Sequence, residues 1–349
     1  MKILVLSQME VERLLPMREC VEVMAGALIA LARGEVEQPL RTVVRPAGAA
    51  GVLALMPAYK SRSGVERDDE RGDVRDGGDP IEDDGAAFGV KAICVFPGNA
   101  AHGMDAHQGC VMLFDGATGE PRAFVNASAI TATRTAAVSA VATRALARED
   151  AHDLAIIGAG VQARAHLEAI ACVREIRRAR VASRRFESAR KFAEELKPRY
   201  RFPVEACETA EDAVRGADLI VTATTAREPV LRRAWIADGA HVNAVGTFSP
   251  QSREVDSETV AASSLFVDRR ESSWNEAGDL LIAMREGVIN AGHIRAEIGE
   301  VLTGAHRGRT SRAEITLFKS LGLAVEDLAA AEHVYRRAKE TGAGAWVEF

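Results

Sequence analysis

Apolar residues recur along the chain with two different periods. In residues 16–33 the positions Val21, Met24, Leu28 and Leu31 fall three or four apart, the spacing of one helix face, with Pro16 suited to a first turn and Gly34 to a C-cap. The next stretch changes character. Short β-branched or aromatic runs at 41–45, 51–56, 89–96 and 108–114 are bounded by Gly, Pro and Asn, and Asp115-Gly116 and Gly119-Glu120-Pro121 carry turn chemistry. An alanine-rich segment, 131–148, predicts a helix connecting two domains.

From Asp153 onward predicted strands and helices alternate. Strands are expected at 154–157, 180–182, 219–222, 241–245 and 265–268, with helices running to Cys172 and over 186–196, and a last helical segment over 315–339. Such alternation specifies a parallel sheet covered by helices on both faces. With 349 residues the chain exceeds what one core usually supports, roughly 250 to 300 residues, so two domains are expected. The fold class is therefore α/β: a central doubly wound Rossmann sheet plus an α+β domain.

Composition narrows the function. A chain that is 47% hydrophobic and 27% charged can bury a core, and a net charge of −6 without a Lys/Arg run gives no attraction for nucleic acid or anionic lipid. The short apolar start at Ile3-Leu4-Val5-Leu6 soon meets Glu10 and Glu12, and no apolar stretch of about 20 residues follows. A cytoplasmic protein is expected. Cys20, Cys94, Cys110, Cys172 and Cys207 are scattered, with no C-x-x-C pair and no histidine at ligand spacing, so neither disulfides nor a metal site is expected. Residues 61–86 hold ten Asp/Glu against four Arg and only Val65, Val74 and Ile81 as sizeable apolar residues. They read as a solvated, disordered loop; a calcium loop is the alternative, but its twelve-residue pattern with a closing Glu is absent.

The strongest motif is Gly158-Ala159-Gly160-Val161-Gln162-Ala163, which follows the apolar run Leu154-Ala155-Ile156-Ile157 and opens a helix. In that context Gly158 permits the tight turn, Gly160 admits a diphosphate to the backbone, and Ala163 keeps helix and strand close. The helix N-terminus then supplies free N–H groups and partial positive charge. At the end of the next strand, where an acidic residue would grip a ribose 2′-hydroxyl, the chain reads Ser183-Arg184-Arg185. Two guanidiniums and a hydroxyl suit a 2′-phosphate, so NADP(H) is expected over NAD(H), which stays possible.

Four cations are candidates for chemistry. Lys91 sits within the apolar run 88–96, where an uncompensated ammonium is costly; it is either a functional acid or carboxylate anchor, or a charge guarding an edge strand. Arg134 lies near the start of the alanine-rich helix, an end that disfavours cations, so either an anion holds it there or it is a surface residue. Arg41 and Arg45 flank the same short run, and the pattern does not choose between them. G-x-S-x-G, H-E-x-x-H and P-loop strings are all missing.

Taken in order, several strings resemble the ornithine cyclodeaminase/μ-crystallin family: Gln38-Pro39-Leu40-Arg41-Thr42, Met56-Pro57-Ala58-Tyr59, Gly89-Val90-Lys91, Phe96-Pro97-Gly98-Asn99 and Thr131-Ala132-Thr133-Arg134-Thr135. The glycine turn, Asn243-Ala244-Val245-Gly246, Glu276-Ala277-Gly278-Asp279 and Ile315-Thr316-Leu317-Phe318-Lys319-Ser320-Leu321-Gly322 continue the match. The resemblance implies a homodimer whose substrate-binding and dimerisation domain spans 1–130 and 312–349, with the Rossmann domain at 131–311. It implies that Arg41, Lys91 and Arg134 bind the carboxylate of a small imine or amino acid, with Leu321 beside it and Lys91 assisting the proton. Arg134, Thr135, Val161, Gln162, Ser183, Thr222, Val245, Gly246 and Ser320 are implied to line the cofactor. One departure bears on the reaction: cyclodeaminases of this family carry an aspartate soon after the Ala-Val-Gly string, and here it runs Val245-Gly246-Thr247-Phe248. The expectation is therefore a ketimine reductase acting on Δ1-pyrroline-2-carboxylate or Δ1-piperideine-2-carboxylate. A cyclodeaminase, an alanine or amino-acid dehydrogenase, and a non-catalytic NADPH-dependent binding protein are the alternatives.

Overall fold

The computed structural model describes residues 1–61 and 85–349, so the expected acidic loop lies, apart from its ends, outside the described residues. The chain forms two compact units. One comprises Met1–Leu14, Ala30–Ile130 and Ala324–Phe349; the other comprises Leu15–Ile29 and Thr131–Leu323.

The first unit is built on a sheet ordered Ala345–Glu348, Lys2–Leu6, Pro121–Asn126, His107–Asp115, Ala87–Val95, Val52–Lys60 and Val36–Glu37, with Thr42–Val44 also paired to Val52–Lys60. Every pairing is antiparallel except that of Lys2–Leu6 with Pro121–Asn126. Alternation along Ala87–Val95 sends Ala87, Gly89, Lys91 and Ile93 to a buried face. The helix Ala324–Thr341 packs there, so closely that a Cβ built on Gly89 would stand 2.8 Å from Leu328 Cδ1. The opposite face is apolar too, yet Leu53, Leu55, Val90, Met112 and Phe124 are only half-buried and Phe88 is exposed.

In the second unit eight parallel strands are ordered Val204–Ala206, Arg178–Ala182, Asp153–Ile157, Leu219–Thr222, His241–Ala244, Thr316–Lys319, Ser264–Val267 and Ile294–Glu297. The expected doubly wound sheet is present. Leu154 and Ile156 enter one core cluster and Ala155 and Ile157 the other, so each face of the sheet is covered. The order reverses at Asp153–Ile157, whose sequence successors lie on opposite sides, and a crevice at the carboxyl ends of such strands is where ligands bind.

One predicted element is corrected. Residues 315–339 do not form one helix; Thr316–Lys319 is a strand within the parallel sheet, Gly322 turns the chain at φ +79°, and the helix begins at Ala324. Thr316, Leu317, Phe318 and Lys319 are all buried, and a strand buried on both faces lacks the alternation that distinguishes it from a helix.

Candidate active site

The glycine turn has the predicted local form. Gly158 adopts φ +121°, and a Cβ there would overlap Ala223 O of the neighbouring strand's loop, so conformation and space both demand glycine. Gly160 is the N-cap of the helix Val161–Val173, makes no side-chain capping bond, and a Cβ on it would meet nothing within 4 Å. A helix does not satisfy its first-turn N–H groups internally. Ala163 is fully buried in the core beneath.

Beside this turn, Ser183, Arg184 and Arg185 follow the strand Arg178–Ala182. Ser183 Oγ donates to Arg185 O at 2.8 Å, and both arginines are exposed without an ion pair among the described residues. Thr222, Val245, Gly246 and Ser320 also follow or end parallel strands and so lie along the same carboxyl edge. Gln162 Nε2 donates to Thr131 O at 3.3 Å, while its Oε1 and the Oγ of Ser320 are buried with no partner. A bare helix N-terminus, an open cradle at Gly160 and two orphaned buried acceptors fit a dinucleotide.

Arg134 and Thr135 are buried on the helix Ala127–Leu146. Leu321 is buried, and its N–H and that of Gly322 donate to Asp268 Oδ2 at 2.5 and 2.9 Å.

The first unit holds Arg41 and Lys91. Lys91 pairs with Met56, and Thr42 pairs with Leu55 on the same strand. Arg41 immediately precedes the strand Thr42–Val44. Arg41 is half-exposed. Lys91 is 3% exposed, and its Nζ lies 2.7 Å from Oδ2 of Asp327, itself 1% exposed. Of the two readings of Lys91, the ammonium is therefore a buried, compensated charge and not an edge guard. Asp327 went unread in the sequence because it sits in the first turn of a helix, where acidic residues are ordinary. Gln38 Oε1 accepts from Val325 N at 2.9 Å and fixes the start of that helix.

A second buried cluster also escaped the sequence reading. Glu254 Oε2 accepts from Thr222 Oγ1 at 2.9 Å and Gly246 N at 2.6 Å; its Oε1 accepts from Thr224 N at 2.6 Å and Thr224 Oγ1 at 2.7 Å. Asp279 Oδ1 accepts from Glu254 N at 2.7 Å and Val255 N at 3.0 Å. Lys319 Nζ reaches Asp279 Oδ2 at 2.9 Å and donates to Thr247 O at 2.7 Å. Burial pushes the Glu254 carboxyl above its ordinary range, with the Lys319 ammonium opposing. For Asp279 burial also pulls upward, but Lys319 and the two backbone donors win and hold it below. Among the described residues no cluster of His, Cys, Asp and Glu could hold a metal, and no helix is long and apolar enough to cross a membrane.

Known proteins resemble this chain over nearly its whole length. A family model described as the ornithine cyclodeaminase/mu-crystallin family matches residues 69–342. A Delta(1)-pyrroline-2-carboxylate reductase of Bacillus cereus is 36% identical over 347 residues, covering 99% of this chain and 100% of that protein. The ketimine reductase mu-crystallin of Mus musculus is 39% identical over 302 residues, 86% of this chain and 85% of that one. The solved Thermococcus litoralis Delta(1)-pyrroline-2-carboxylate reductase, in complex with NADH and L-proline, superposes with a TM-score of 0.90 at 40% identity, covering 99% of this chain and 100% of its own.

Proposed function

The chain belongs to the ornithine cyclodeaminase/mu-crystallin family, and from that premise we propose that it is an NADPH-dependent ketimine reductase acting on a small cyclic imine carboxylate. Δ1-Pyrroline-2-carboxylate, giving L-proline, and Δ1-piperideine-2-carboxylate, giving L-pipecolate, are the substrates of this reading. The observation that carries it is Phe248, 43% exposed, at the point in the loop after Gly246 where a deaminating enzyme needs a proton-exchanging side chain. A benzyl group cannot take that part. A cyclic imine that arrives protonated does not require it.

When bound, the reduced nicotinamide supplies hydride to the imine carbon. In this reading Arg41 and Arg134 hold the substrate carboxylate, and Lys91 completes the anion site. Asp327 at 2.7 Å keeps that lysine charged in its buried setting. The glycine turn takes the diphosphate, and Arg184 and Arg185 take a 2′-phosphate, which is the basis for preferring NADPH although the Thermococcus relative holds NADH. A homodimer belongs to the same reading, formed through the open apolar face around Phe88.

The test follows NADPH and NADH absorbance with enzymatically generated cyclic ketimines. Rapid NADPH oxidation is expected. Ammonia release from ornithine without added reductant would move the assignment to a cyclodeaminase, and retained NADPH binding with no turnover of any imine would move it to a binding protein.

A further inference from the structure

Glu254 and Lys319 have no exposed surface and Asp279 only 1%, so three ionisable groups have been taken out of water within one unit. Stability alone does not explain them, because well-packed apolar residues of similar volume commonly serve it as well or better. The explanation lies in what they hold.

They hold a single stretch of chain. Gly246 donates its N–H to Glu254, and Thr247 gives its carbonyl oxygen to Lys319 and its hydroxyl proton to Asp279 Oδ2, at 3.0 Å. On the far side of Phe248, a Cβ on Gly278 would overlap Ser249 O and Ser252 O, so the turn at 249–252 rests directly on glycine backbone at the start of the helix Gly278–Arg285. Phe248, half in solvent, is carried between fixed points on both sides. Glu254 also ties in Thr222 and Thr224, which close the adjacent strand. The stretch leaves the carboxyl edge of the parallel sheet, where the cofactor is expected.

We propose that Glu254, Asp279 and Lys319 are positioning residues for the reductase: through Gly246 and Thr247 they fix Phe248 as a rigid wall of the imine site. This rests on the reductase reading above. Each Glu254 oxygen meets one backbone N–H, which can only donate, and one threonine hydroxyl. In Glu254→Gln the new NH2 faces a backbone N–H whichever way it turns, so either Gly246 or Thr224 loses its backbone acceptor. Thr247→Val removes the hydroxyl between Asp279 and Lys319 at constant volume, and Thr247→Ser keeps it.

Steady-state kinetics and the isotope effect with 4-deuterated NADPH test the idea, alongside thermal midpoints. Glu254→Gln and Thr247→Val are expected to lower kcat by about tenfold or more, since small misplacements of reacting groups carry such penalties. In Thr247→Val, KM for NADPH should stay within about twofold, and in both variants the isotope effect should rise as hydride transfer becomes limiting. Thr247→Ser should recover most of the loss. Unchanged kcat and isotope effect in both variants, with only lower thermal midpoints, would overturn the positioning role. Failure of the unaltered protein to reduce any imine overturns the reductase reading instead; the emission spectrum of bound NADPH then decides, and identical spectra for Thr247→Val and the unaltered protein would overturn the positioning role.

Discussion

Gly322 lies flat against the guanidinium of Arg134: a Cβ built at 322 would overlap Nη1 and stand 2.8 Å from Nη2. The same glycine holds φ +79°, and its N–H is fixed by Asp268. Gly322→Ala therefore strains the backbone by about 1 kcal/mol and displaces the guanidinium. Expected are a lower thermal midpoint and a KM for the imine carboxylate raised about tenfold, as for loss of one charged contact. A KM within twofold would take Arg134 out of substrate binding.

Lys91 and Asp327 separate stability from turnover. Asp327→Asn leaves a buried ammonium uncompensated and should cost about 3–5 kcal/mol in chemical denaturation. Replacing both, Lys91→Met with Asp327→Leu, should recover most of that stability and none of the activity. Undiminished turnover in Lys91→Ala would remove the lysine from the mechanism.

Arg184 and Arg185 are exposed, so neutralising them should leave the fold intact. Changing both to Ala is expected to raise KM for NADPH about tenfold or more and leave NADH nearly unaffected, because only the former has a 2′-phosphate to lose. An equal loss for both cofactors contradicts the 2′-phosphate assignment.

Two histidines set an acid limit. Burial pulls His166 down to about 4, against its bond to Gln162 O, and pulls His241 down to about 3. Both stay neutral in the fold while the unfolded chain takes up protons near pH 6.5. Their contribution is complete above that pH and is lost as pH falls towards about 4 for His166 and about 3 for His241. Unfolding free energies from denaturant titrations between pH 7 and 5 should fall, by up to about 1.4 kcal/mol per pH unit per histidine. His166→Gln should flatten the slope; an unchanged slope assigns the acid sensitivity elsewhere.

Phe88 is 48% exposed, with its ring 4.5 Å from that of Tyr59 on the open sheet face. Sedimentation of the unaltered protein should give a dimer, and Phe88→Glu should shift it to monomer at micromolar concentration. A dimer that survives the charge lies on another surface.

The Rossmann half was legible because its signals are local. A strand, a glycine turn and a helix follow one another within residues 153–173, and Phe186–Leu196 keeps a clean helical period. Pro121–Asn126 and Ile294–Glu297 were not read, being short and distinguished only by the strands they join. The site divides the same way. Lys91 stood out as a charge in an apolar run, whereas Asp327, Glu254 and Asp279 look like ordinary acidic residues until sheet order and helix packing deliver their partners. The ends at Lys2–Leu6 and Ala345–Glu348 pair only with each other or with Pro121–Asn126, and no local pattern announces that.

The ion pair of Lys91 with Asp327 joins positions 236 apart in the chain (327 − 91). During synthesis the lysine's strand is made long before its counter-ion, and the larger segment of the second unit, Thr131–Leu323, is made between them. Closing so wide a loop is entropically slow and raises the contact order of the first unit. The charge at position 91 thus meets its buried counter-ion only after the helix Ala324–Thr341 has been made.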